Sequence, residues 1–177
     1  GNNNSFYGAL AGYVNQSGSD NCFFGESAGR ENVDANLNCF FGESAGYSNL
    51  HGNTNTAIGN SALFFNSTGF SNVAIGSAAL LNNTSSSNLV AVGDSALYLT
   101  NGGKWNVAIG SKALLSNTSG SENIAAGSRA LYSNTTGSGN TATGYEALFF
   151  KTIGRGNTAN GNNSLRNNIS GSQNTAT

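Results

Sequence analysis

The chain has 177 residues with 7 Lys and Arg, 8 Asp and Glu, 25 Gly, 30 Asn and no Pro or Met. Its charged fraction is 8 %, where soluble domains carry roughly 25 %. Seven scattered bases and a net charge of −1 exclude a phosphate-tracking stripe and so a nucleic-acid partner, and no apolar run is long enough to insert in a membrane.

Abundant Asn, Gly, Ser and Thr with little charge also suit a disordered chain. The order of the apolar residues excludes that. Gly recurs at positions 8, 25, 42, 59, 76, 93, 110, 127, 144 and 161, always 17 apart and with no insertion. Asn stands four residues before each glycine, as in Asn55, Asn72, Asn106, Asn123 and Asn140, with Leu89 the one exception. Three residues after the glycine Ala occurs in nine repeats of ten, and a second Gly follows ten residues after in eight of ten. Repeats therefore start near 4, 21, 38, 55, 72, 89, 106, 123, 140, 157 and 174, and residues 1–177 read as a single array. The last of these starts stops before its glycine, and the chain opens without Met; both features lead us to expect an excerpt of a longer array.

Seventeen residues are too few for helix-pair repeats, and glycine in mid-repeat opposes helix. The period predicts an all-β parallel solenoid of ten 17-residue coils, with neighbours about 4.8 Å apart and a rod on the order of 50 Å. The two glycine columns are expected at turns of positive φ, Gly25, Gly42, Gly59, Gly76, Gly93, Gly110, Gly127 and Gly144 in the first of them. Stacked Asn amides are expected to form a ladder along the rod, which Leu89 should interrupt.

Taken in chain order, the columns assign a core. In the first three repeats Phe stands two before the glycine and Gly four after it, as in Phe23 with Gly29 and Phe40 with Gly46. In the next seven the pair becomes Ala with Leu, as in Ala74 with Leu80 and Ala108 with Leu114. No repeat mixes the two, which is how a packed site conserves volume, so these columns are expected to touch. The column just before the glycine runs from Tyr7, Phe24 and Phe41 through Ile58, Ile75, Val92 and Ile109 to Thr143, Asn160 and Thr177. Strand alternation puts it opposite the Phe/Ala column. A run of aromatic and branched residues seldom stays bare on a monomer, which favours lateral association of chains.

The segments Asn55-Thr56-Ala57-Ile58-Gly59, Asn72-Val73-Ala74-Ile75-Gly76 and Asn106-Val107-Ala108-Ile109-Gly110 resemble the head repeat of trimeric autotransporter adhesins of the YadA-like kind, and related repeats of bacterial surface and phage tail-fibre proteins. The resemblance covers the whole chain. It implies a left-handed β-roll, a homotrimer and a role in attachment, extracellular on a cell surface or virion. The chain departs from that family in a period a few residues longer and in the Phe-rich first three repeats.

Few residues offer chemistry. His51 is the only histidine and reads as a surface turn residue. Cys22 and Cys39 lie one period apart and should stack; in-register Cβ vectors suit a disulfide poorly, so small core residues are the first expectation, with a bond between coils or between chains as the alternatives. Glu26 and Glu43 fall in a repeated nine-residue string and read as solvated carboxylates, with a hard cation as the sharper alternative. Gly154-x-Gly156-x-x-Ala159 matches a dinucleotide fingerprint only through the glycine columns. The sequons at Asn66, Asn117 and Asn134 arise from the repeat, and would carry glycans only in a eukaryotic secreted product. Trp105, Tyr98, Tyr132, Phe64, Phe65, Phe70, Phe149 and Phe150 suit packing between chains, or a surface glycan.

No catalytic, metal or cofactor site is expected. The function expected is a structural fibre or adhesin segment, with itself and a host receptor or surface glycan as partners. The alternative is a self-assembling extracellular filament or matrix built from stacked solenoids. An ice-binding solenoid ranks below both, because no column is a continuous Thr ladder.

Overall fold

The computed structural model describes residues 1–151 and 153–177. Its strands are β1 (Ser5–Tyr7), β2 (Cys22–Phe24), β3 (Cys39–Phe41), β4 (Thr56–Ile58), β5 (Val73–Ile75), β6 (Val90–Val92), β7 (Val107–Ile109), β8 (Ile124–Ala126), β9 (Thr141–Thr143), β10 (Thr158–Asn160) and β11 (Thr175–Ala176). They form one parallel sheet in sequence order. Register partners are always one period apart, as in Cys22 with Cys39 and Ala108 with Ala125. The chain is thus an all-β solenoid of about ten 17-residue coils, with one three-residue strand per coil.

The remainder of each coil is turns, and these also pair between coils. Gly12 N–H donates to Ala28 O at 3.0 Å and Val14 N–H to Arg30 O at 2.9 Å. Nearly all the backbone is therefore paired along the rod although little of it is strand. This answers the demand for buried N–H and C=O groups and gives absent Pro a reason, because proline would remove a donor from the stack.

The inner column runs Phe23, Phe40, Ala57 and on to Ala159 at 0 % exposure. With the Ala and Leu columns that follow the glycine it makes one continuous core along the rod. The two exchanging columns meet within a coil. A Cβ built on Gly29 would lie 2.4 Å from a ring carbon of Phe23, and one on Gly46 2.4 Å from Phe40. Where Ala replaces Phe, Leu63, Leu80, Leu97, Leu114, Leu131 and Leu148 are all fully buried. The rings stack along the axis, Phe6 on Phe23 at 4.8 Å and Phe23 on Phe40 at 4.9 Å.

The two glycine columns have different causes. Gly25 has φ 135°, and an added Cβ would sit 2.5 Å from Gly42 O in the next coil. The second column, expected at positive φ, is not left-handed at most of its positions. Gly52, for example, is required by close approach alone, since its Cβ would lie 2.2 Å from Gly69 O. The left-handed turns instead fall on columns that are mostly not glycine. Ser27, Ser61, Lys112 and Glu146 have φ between 52° and 60°, as do Leu63 and Leu80 at 53–55°. Hydrogen bonds such as Ala28 N–H to Gly25 O and Arg30 N–H to Ser27 O, both 3.3 Å, close successive turns around them. A third residue at positive φ is the mark of a type II turn. Each buried Leu there accepts a left-handed cost of about 1–2 kcal/mol against burial worth about 1.5–3 kcal/mol.

Candidate functional site: the outward face of the sheet

Each strand has two residues flanking its inner one, and both point outward. The column before the glycine is exposed in Tyr7, Phe24, Phe41, Ile58 and Ile109, at 37 % for each Phe and 48 % for Ile109. The other outward column is half-buried through Cys22, Cys39, Val73, Val90 and Val107 and exposed at Ile124. Rings stack here too, Phe24 on Phe41 at 5.0 Å with planes 1° apart. The result is a strip that is mainly apolar from β1 to β8, with Ser5 and Thr56 its polar members, and polar from β9, where Thr141, Thr143, Thr158 and Asn160 take over. Thr143 and Asn160 join side chains at 2.6 Å.

Two amide ladders hold this sheet to the rest of the coil. Asn123 shows the pattern of the first: its Oδ1 accepts from Asn140 N–H at 3.0 Å and from Asn140 Nδ2 at 3.1 Å. Its Nδ2 donates to Asn106 Oδ1 at 3.1 Å and to Gly137 O at 2.9 Å. Asn55 and Asn72 keep the backbone part of it, Asn72 N–H reaching Asn55 Oδ1 at 3.0 Å, while their Nδ2 groups donate to Gly69 O and Ser86 O. A second ladder runs seven residues after the glycine, with Asn134 Nδ2 on Asn117 Oδ1 at 2.8 Å. Leu89 takes a bond from below, its N–H on Asn72 Oδ1 at 3.1 Å, but has no amide to offer Asn106 and joins the apolar core instead. Thr100 replaces the second Asn in that same coil and donates to Asn117 O at 3.0 Å.

Several sequence expectations change here. Cys22 and Cys39 are register partners with free thiols, half-buried on the outward face rather than in the core. Burial, with the charge and hydrogen bond of Cys22, pushes the Cys39 thiol above its ordinary value. The sequon residues Asn66, Asn117 and Asn134 are 0 % exposed ladder members, so none of these three presents its amide to a glycosylating enzyme in the folded coil. The aromatic column five after the glycine stacks along the axis, Tyr47 on Phe64 at 4.8 Å and Tyr132 on Phe149 at 5.0 Å. Arg30 fits between Tyr13 and Tyr47, 5.8 and 5.3 Å from their ring centres. These ring faces are covered by neighbours, which leaves edges, not platforms, for a sugar.

Glu26 and Glu43 are exposed, and Glu43 Oε2 accepts from Asn60 Nδ2 at 3.1 Å. Among the described residues no group of three or more potential metal-binding side chains occurs. His51 is exposed with Nδ1 2.6 Å from Asp34 Oδ1 one coil away. Two charged groups unremarked in the sequence are buried. Glu146 lies between Arg166 Nε at 2.8 Å and Arg129 Nη1 at 3.2 Å, and the Arg166 hydrogen bond leads the causes that hold its carboxyl low. Lys151 occupies an Asn-ladder position at 0 % exposure, its ammonium on Gly171 O. Desolvation lowers its pKa, and Asn134 Oδ1 beneath it is left buried without a partner.

Comparison with protein-family models, with curated proteins and with solved structures finds no match. The residues of this chain alone therefore carry the functional argument. The site they build is not a cleft. It is an uncharged strip in which β1 to β8 offer mainly apolar surface, Ser5 and Thr56 apart, and β9 to β11 offer hydroxyls and an amide.

Proposed function

We propose that this chain is a structural, non-enzymatic rod: a segment of an extracellular fibre or adhesin that joins laterally to further copies and contributes to attachment at a cell surface or virion. The observation that supports it is the outward strip on an uninterrupted solenoid. Tyr7, Phe24, Phe41, Ile58 and Ile109 stay exposed on one face, and such contiguous patches mark interaction surfaces. The head-repeat resemblance adds a left-handed roll to the proposal, and three chains as one form of the lateral association.

The mechanism is mechanical. Backbone pairing in every coil and two side-chain ladders resist bending, and several copies side by side multiply weak contacts at a distant surface. Static light scattering across a concentration series tests it. Assemblies above the 18.0 kDa monomer, seen as rods on the order of 50 Å by negative-stain imaging, are expected. A monomer at all concentrations would remove the association on which the proposal depends.

A second reading, a self-assembling filament or matrix, is favoured by one observation. The outward columns carry no charge in any of the eleven strands, so no like-charge contact fixes where one rod must stop along another. Long fibres of indefinite length on the imaging grid would select it.

A further inference from the structure

Charge is segregated along the rod. Residues 1–51 hold five acids and one Arg, residues 52–93 hold no charged residue, and residues 94–177 hold six bases and three acids. The halves therefore differ by −4 and +3, which sum to the net −1. Near the outward strip the same division appears. Asp20, Glu26 and Glu43 flank β2 and β3, and Lys104, Lys112 and Arg129 flank β7 and β8, where Glu122 is the one acid.

We infer that the outward strip over β1 to β8 is the contact between two copies of this chain running antiparallel, about a two-fold axis parallel to the strands and midway between β4 and β5. The inference rests on the lateral association proposed above. It replaces the three chains of the resemblance by a pair.

Three properties of the strip converge on this arrangement. The first is size. Antiparallel overlap sets Tyr7 against Ala126, Phe24 against Ile109, Phe41 against Val92 and Ile58 against Ile75. The largest side chains meet smaller ones, so the gap between sheets stays even and can pack densely. Parallel in-register rods would set Phe on Phe at one end and Ala on Ala at the other, leaving a wedge.

The second is polarity. The strip turns from apolar to polar between Ala126 and Thr143. An antiparallel pair centred between β4 and β5 overlaps over β1 to β8 and leaves β9 to β11 of each copy in water. Either arrangement covers Ser5 and Thr56, but in-register parallel packing would also bury Thr141, Thr143, Thr158 and Asn160, whose polar groups cost free energy when removed from water.

The third is charge. A two-fold axis along the strands brings each flank of the sheet onto its own counterpart. Glu26, one residue after Gly25, then faces Lys112, two residues after Gly110, on one flank, while Asp20 faces Lys104 on the other. Parallel rods would instead stack acid on acid near β2 and base on base near β7, a like-charge juxtaposition that interfaces avoid. Asp94 opposite Glu43 is the one unfavourable contact, and Lys112 lies one coil, about 4.8 Å, away from it.

The rims are needed as well as the strip. Eight strands at about 4.8 Å by three residues at about 3.3 Å give roughly 380 Å² of flat contact, where a standard interface buries about 800 Å² per partner. Flanking residues must supply the rest, so their charges decide the orientation.

The test uses the full 177-residue chain with Cys22→Ser and Cys39→Ser. Phe41→Cys and Val92→Cys versions are mixed and oxidised with glutathione disulfide, which takes up the two thiol hydrogens as the interchain bond forms. A cross-link between the two different versions, with a mass of about 36 kDa, twice 18.0 kDa, is expected. Independent of those core-adjacent changes, Glu26→Lys at an exposed site should weaken the pair on the order of tenfold at low salt. Adding Lys112→Glu should restore it, and Asp94→Lys alone should tighten it. Self-linked Phe41→Cys chains, or a trimer, would overturn the antiparallel pair while leaving lateral association intact. A monomer without cross-links would overturn both.

Discussion

The contact between the inner column and the column four residues after the glycine is open to a double exchange. In the parent, Ala57 sits beside Leu63, one coil above Phe40 beside Gly46. Ala57→Phe alone brings a ring to the place where Leu63 already has its Cβ. By the geometry of Phe23 and Gly29 that approach is 2.4 Å, against the 3.5–4.0 Å of an ordinary carbon contact. The overpacking should cost about 3 kcal/mol, the upper part of the usual range. Leu63→Gly alone removes a fully buried side chain. It should cost about 4 kcal/mol, less about 1 kcal/mol returned because glycine adopts φ 55° freely. Independent effects would sum to about 6 kcal/mol. The double variant reproduces the chemistry of the coil below, with the introduced ring lying on Phe40 as Phe40 lies on Phe23 at 4.9 Å. It should fall within about 1–2 kcal/mol of the parent, a coupling of at least about 4 kcal/mol. Urea melts of the four chains followed by circular dichroism measure it. Additivity within about 0.5 kcal/mol would refute the contact and the volume argument built on it.

Asn123→Ala removes an amide that makes four hydrogen bonds to Asn140, Asn106 and Gly137 and strands buried groups on both ladder neighbours, so it should cost about 3–5 kcal/mol in a thermal melt. Lys151→Asn should stabilise the chain by about 1–3 kcal/mol, because it removes a desolvated ammonium and offers Asn134 Oδ1 a donor. Since the folded Lys151 pKa is lowered, the unfolded chain binds more protons between that value and the ordinary lysine range. Parent stability should therefore rise with pH through that window, narrowing the gap to Lys151→Asn, and denaturation at a series of alkaline pH values reads the slope. Both thiols should be labelled in the native chain without reductant, Cys39 more slowly than Cys22 because its thiolate is suppressed; mass spectrometry after timed quenching compares them.

The repeat makes the coil legible because its causes act on residue type. Gly25 and its equivalents are glycine since any Cβ would strike the carbonyl of the next coil, so the column appears in the sequence. The Phe/Gly and Ala/Leu exchange is visible for the same reason: volume leaves a trace in composition. The left-handed columns leave none. Ser27, Leu63 and Glu146 are not residues that advertise positive φ, and the coil imposes it through the stacked turns around them. The usual burial of cysteine points Cys22 and Cys39 inward, yet alternation from Phe23 and Phe40, which face the core, places both outside. The sequons read as surface sites because Asn, Ser and Thr suit turns; that Asn66, Asn117 and Asn134 are ladder members follows only from their bonds one coil away.

A perfect repeat has no preferred position along its length, so whatever is directional in this rod must come from the places where its columns break. Besides Lys151 in the second ladder, three breaks reach a core, a ladder or a face. Phe gives way to Ala with Leu between Phe40 and Ala57, which changes the core without changing its volume and so leaves the rod straight. Leu89 and Thr100 drop out of both ladders in a single coil, each replacing an amide by a group that still packs or bonds, which keeps the break local. The outward strip turns from apolar to polar after Ala126, and only this break alters what the surface offers. The coil itself does not require it, because the inner column and the first amide ladder run on through β9 and β10, and only the second ladder is broken there, at Lys151. A change that stability within the coil does not require, confined to the one face that other chains can reach, is best explained by contact outside the coil. The charges sort along the rod in the same sense, acidic where the strip is aromatic and basic where it ends, and a partner that reverses direction is the one that satisfies both.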